Sequence, residues 1–172
     1  MSEIGKRNRN VVIADVNKYD SISRNSIHII NEFNGYKSID IPYDRYTYDV
    51  ESQDEGGNVI DRIEGYVKEL WVGNSYSDRD LLCNPLEYYD PYLYIYERKI
   101  KCFVDGTTTL FCVFSLSGQL YREIRLTREK LISYPTEMIR RMNKEHTLVD
   151  EPVFVIPVSD YSKVINMKGY IK

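Results

Sequence analysis

The chain has 172 residues, 42% of them hydrophobic and 28% charged, with a formal net charge of −3. That is enough apolar material for a core, which excludes wholesale disorder, and no run approaches the roughly 18 apolar residues of a membrane helix. Three cysteines, Cys83, Cys102 and Cys112, are too sparse and odd a set for a disulfide framework and fit a reducing compartment.

One alanine, Ala14, stands against 18 isoleucines and 16 tyrosines. Alanine is the best helix former, whereas Ile and Tyr favour strands, so strands should dominate. The same bias suggests an AT-rich genome. Charge is uneven along the chain. Residues 40–90 carry thirteen acidic and four basic side chains, whereas residues 91–146 carry ten basic and six acidic.

In chain order, residues 1–10 read as a basic, flexible arm containing Lys6, Arg7 and Arg9, without the hydrophobic region of a secretory signal. Residues 11–172 are expected to form a single α+β domain. Val11–Ile13 and Ile27–Ile30 are apolar runs of strand length. Pro42 marks residues 36–50 as an edge strand or a strand end, and residues 51–58, with paired glycines, read as a loop.

Ile60, Ile63, Val67, Leu70 and Trp71 follow helical spacing, predicting a helix over 59–72 that Gly65 weakens. Residues 73–91 have the turn chemistry of a long loop. Residues 92–126 then hold three strand-like runs separated by Asp105-Gly106 and Ser117-Gly118, which predicts an antiparallel three-strand meander as the centre of the sheet. The expected register sets Phe111 opposite Ile124 and Val113 opposite Arg122 on one side, and Cys102 opposite Thr109, Ile100 opposite Phe111 and Arg98 opposite Val113 on the other. In it the middle strand is apolar on both faces. A one-residue slip would destroy that pattern.

Thr127 is the expected N-cap of a helix that Pro135 splits into 128–134 and 136–146. Val153–Ile156 reads as a short buried strand, and Tyr161–Lys172 as an added edge strand. The order fits an α+β fold, an antiparallel sheet packed by two or three short helices.

Chemistry-bearing patterns are sparse. His28, His146 and the cysteines lack metal-ligand spacing, so no metal or cofactor is expected. Phosphate-cradling glycine motifs and a nucleophile elbow are both absent. Glu97 and Lys99 form an E-x-K on a predicted strand, with Asp80 and Asp90 upstream. This resembles half of the PD-(D/E)-x-K nuclease core, in which two carboxylates hold Mg²⁺ beside a lysine. However, the proline follows the acid at Asp90-Pro91, and charge pairing with Glu123 and Arg125 across the meander accounts for Glu97 and Lys99 without a metal.

The most distinctive local feature is the tyrosine cluster Tyr88, Tyr89, Tyr92, Tyr94 and Tyr96. The last three share a strand face, as either a half-wet sheet surface or a contact surface.

Without a catalytic constellation, and with unlike charged segments side by side, the expected protein is non-enzymatic and works through protein–protein contacts. The concrete version is a small virion component, such as the ring subunit of a phage neck or head–tail connector, found in the virion or host cytoplasm. It would contact copies of itself, other structural subunits and, through its basic arm, packaged DNA, but no membrane. The alternatives are a small metal-dependent nuclease and a monomeric inhibitor or immunity-type binding module.

Overall fold

The computed structural model describes residues 20–42, 47–67, 69–70, 74–75, 92–115, 117–142 and 147–171. The arm at 1–10, Val11–Ile13, Asp80, Cys83, Tyr88, Tyr89, Asp90 and His146 lie outside the described residues.

Residues 20–33 form helix α1. They are followed by strands β1 (Lys37–Asp40), β2 (Val50–Gln53), β3 (Val59–Val67), β4 (Glu69–Leu70), β5 (Asn74–Ser75) and β6 (Tyr92–Tyr96). A 3-10 turn spans Glu97–Cys102. Then come β7 (Thr108–Phe114), β8 (Leu120–Thr127), helix α2 (Arg128–Ile132), β9 (Thr136–Met142), β10 (Leu148–Pro157) and β11 (Ile165–Asn166). The α+β class holds. The strands form a six-stranded sheet in the order β1-β2-β3-β7-β8-β11, a three-stranded sheet β6-β10-β9, and the β4-β5 ladder.

The β7–β8 hairpin has the expected register, with Phe111 opposite Ile124 and Val113 opposite Arg122. Its central strand is buried on both faces. Phe111 and Val113 join one core with Leu120, Ile124 and Leu126, backed by Leu93 and Ile95 of β6 and Phe154 and Ile156 of β10. Leu110, Cys112 and Phe114 join the other core with Val50, Ile63, Val67 and Ile27 of α1. The three-stranded sheet therefore covers one face of the large sheet and α1 the other. Cys102 and Cys112 lie in opposite cores as free, buried thiols.

The third strand of the expected meander is corrected. Residues 97–102 coil into a 3-10 turn, and β6 pairs antiparallel with β10 in the other sheet, Val155 opposite Tyr94 and Val153 opposite Tyr96. The place beside β7 belongs to β3, which runs parallel to it, Ile63 beside Leu110 and Gly65 beside Cys112. A strand apolar on both faces calls for two neighbours, but the local sequence does not say which.

Three further expectations are overturned. Residues 59–67 are a strand, not the start of a helix over 59–72. Ile63, Gly65 and Val67 face α1 at period two. A Cβ on Gly65 would stand 2.8 Å from Ile27 Cδ1 and 3.1 Å from Ser23 Cβ, so the bare glycine admits the helix. Residues 27–30 are helical, not a strand. The face of α1 that turns inward is Ser23, Ser26, Ile27, Ile30 and Asn31, a helical repeat half made of small polar residues. Residues 136–142 are β9 rather than a helix over 136–146, and they pair antiparallel with Leu148–Phe154 of β10.

One more reading is corrected: residues 51–53, expected within a loop over 51–58, belong to strand β2 between β1 and β3. The elements that follow keep their expected places. Thr127 caps α2, its Oγ1 accepting from the Lys130 N–H at 3.1 Å, although the helix ends at Ile132 rather than 134. Val153–Ile156 is buried within β10, β1 is an edge strand before Pro42, and β11 edges the sheet beside β8.

Candidate functional site

The E-x-K pair does not assemble as a strand pair. In a 3-10 turn, side chains two apart diverge rather than share a face. Lys99 Nζ pairs with Glu64 Oε1 at 2.6 Å and donates to the Thr47 carbonyl at 3.1 Å. The expected rows with Glu123 and Arg125 are corrected accordingly, since Arg125 pairs with Asp61 of β3 at 3.1 Å.

The partner of Lys99 belongs to a charge cluster that the sequence did not announce. Glu64 is 8% exposed, and its Oε2 accepts no hydrogen bond from the described residues. Asp49 Oδ2 accepts the Gly65 N–H at 3.0 Å. Arg24, reaching in from α1, donates to the Asp49 carbonyl at 2.7 Å and pairs with Asp20 at 3.0 Å. Asp40 also meets His28 Nε2 at 2.8 Å. Arg24 and Lys99 thus approach the ends of β2 and β3 from the two layers that sandwich the sheet.

Burial, reinforced by the Asp49 charge, pushes the Glu64 carboxyl up to about 8 against the pull of Lys99. Burial likewise raises Asp49, opposed by the Gly65 N–H and then by Arg24 and Lys99. The Cys102 thiol, desolvated beside Glu64, is pushed up to about 12, far from a reactive thiolate. Glu64 and Asp49 each already meet a cation of the chain itself, so the cluster reads as a structural clasp. No group of three or more potential metal ligands occurs among the described residues.

The tyrosine strand divides as alternation predicts. Leu93 and Ile95 are buried, Tyr92 is 41% exposed, and Tyr94 and Tyr96 are half-buried. The Arg98 guanidinium sits 4.0 Å from the Tyr96 ring centroid and pairs with Glu151 of β10.

Beyond Glu151 the two strands β9 and β10 run on together. β6 pairs with β10 only over Val153–Pro157, so residues 148–152 have β9 on one side and no strand on the other among the described residues. The hairpin exposes Met138 at 62% and Leu148 at 59%. Arg140 faces Asp150 across the ladder at 3.1 Å. The outer edge of β9 has no strand neighbour among the described residues. In the sequence this strand is hidden by apolar spacing over 136–146 that equally fits a helix.

A small cleft of about 230 Å³ lies between α1 and the turn at Gly118, lined by Ile22, Ser26, Ile29, Gln119, Met167 and Ile171. It holds no charged side chain. No helix among the described residues is long and apolar enough to cross a membrane.

No family model, curated protein or solved structure matches this chain.

Proposed function

We propose that this is a non-enzymatic assembly protein acting through contacts with copies of itself and with other subunits. The observation that carries the reading is the β9–β10 hairpin. It extends past its own sheet and holds Met138 and Leu148 in solvent, where a monomer gains nothing from them. The clasp around Glu64 supports the same reading, because the carboxyl groups of Glu64 and Asp49 already meet Lys99 and Arg24 of the chain itself.

The finer version is a virion component, such as the ring subunit of a phage neck or head–tail connector. It rests on the acidic 40–90 and basic 91–146 segments, whose unlike surfaces suit head-to-tail contacts, and on the Ile- and Tyr-rich, Ala-poor composition. Light scattering across concentration and salt tests it. A species of many protomers, loosened by salt and ring-shaped when imaged, is the expected result. A 20.3 kDa monomer under all conditions overturns it.

A further inference from the structure

We propose that the outer edge of β9 is a self-recognition surface, which pairs antiparallel with β9 of a second copy about a two-fold axis at Ile139. This names the surface and the partner for the assembly reading and rests on it.

The argument starts from backbone directions. The Val155 N–H donates to the Pro135 carbonyl at 2.9 Å, in line with the ladder that sets Met138 opposite Pro152 and Arg140 opposite Asp150. Residues 135, 137, 139 and 141 therefore turn their backbone polar groups toward β10, and residues 136, 138 and 140 turn theirs outward. Pro152, which has no N–H, fits opposite Met138 because that pair exchanges no hydrogen bonds.

An outward row of donors and acceptors on a seven-residue edge is a template for another strand. Native edges are usually blunted by a proline, a bulge, a cover or charged side chains. Along β9 none of the first three appears among the described residues, and its charges, Glu137, Arg140 and Arg141, are of both signs.

The sequence of the strand identifies the occupant. It reads Thr-Glu-Met-Ile-Arg-Arg-Met. Set against itself antiparallel about Ile139, it places Glu137 opposite Arg141 of the copy, twice by symmetry, with Ile139 opposite its own copy between them. The outward-facing Met138 and Arg140 then exchange the backbone bonds. A shift of the axis to Arg140 brings Arg140 against Arg140, and a shift to Met138 leaves Glu137 opposite Ile139, so of these three only the axis at Ile139 sets Glu137 against a cation. The three-stranded sheet becomes a continuous six-stranded one across the dimer. A two-fold contact closes on itself, so a ring would add a separate head-to-tail contact.

The test uses the full, unlabelled chain: light scattering of the wild type, Met138→Pro, Glu137→Arg, and Glu137→Arg combined with Arg141→Glu. Met138→Pro removes only an outward N–H, so far-UV circular dichroism should show the fold retained while the dimer is lost. Glu137→Arg should weaken the dimer about tenfold, because symmetry turns two attractive pairs repulsive, and the charge swap should restore it. If Met138→Pro fails to fold, the loss and rescue by the two charge variants decide. Self-association that none of the variants alters overturns this interface and leaves the assembly reading standing. A wild type that stays monomeric at every concentration overturns the interface together with the self-association it rests on.

Discussion

Glu64 shows how little a residue's role depends on its letter. On an exposed strand it would be one more solubilising charge. Here it lies between a helix-covered and a sheet-covered layer, against Lys99 and near Asp49. Its carboxyl keeps its proton up to about pH 8 in the folded protein, against 4.5 ordinarily. The folded state therefore binds a proton that the unfolded chain releases. The resulting stabilisation is complete below about pH 4.5 and is lost as pH rises through 8. Thermal unfolding followed from pH 5 to 8.5 should show the midpoint falling, and Glu64→Gln should flatten that fall. An unchanged slope in the variant would remove Glu64 as its source. The sequence held no sign of this clasp, because Arg24, Asp49, Glu64 and Lys99 are scattered along the chain and meet only through the tertiary fold.

At the level of elements, the sequence was legible where pairing is local. The β7–β8 hairpin, its register, the Thr127 cap and buried β10 all follow from neighbouring residues. It misled where an element's identity is set by what packs on it. In 59–67, Ile60, Ile63 and Val67 fit a helical template, yet Gly65 was the telling residue. Read as a flaw in a helix, it is the contact point of a strand with α1. Replacing it with alanine puts a methyl group against Ile27 and Ser23. Gly65→Ala should cost about 1–3 kcal/mol, measured by urea unfolding, as overpacking generally does. A neutral result would mean that α1 sits farther from β3 than described. Residues 136–142 misled for the related reason that Met and Ile patterns suit either helix or edge strand until β10 demands a partner.

For the whole molecule, the sheet is assembled from two locally connected pieces, β1-β2-β3 and β7-β8, and joined by the parallel β3–β7 seam. Residues 68–107 lie between the two sides of that seam. The hairpin can close as soon as it exists, whereas the seam must wait for distant chain. During synthesis, β3 leaves the ribosome with its inner edge open and with Ile63 and Val67 lacking the Leu110 and Phe114 that later flank them. Ribosome-bound chains arrested with β3 emerged and β7 still in the tunnel should be cleaved readily by protease within β1–β3. Chains arrested after β8 has cleared the tunnel should be protected there. Equal protection in both would show that the first three strands and α1 hold together without the seam. The vulnerable moment in this protein's life is then set by translation speed across 68–107, and slow codons in that stretch would lengthen the time a nascent chain spends as a target for chaperones and for aggregation.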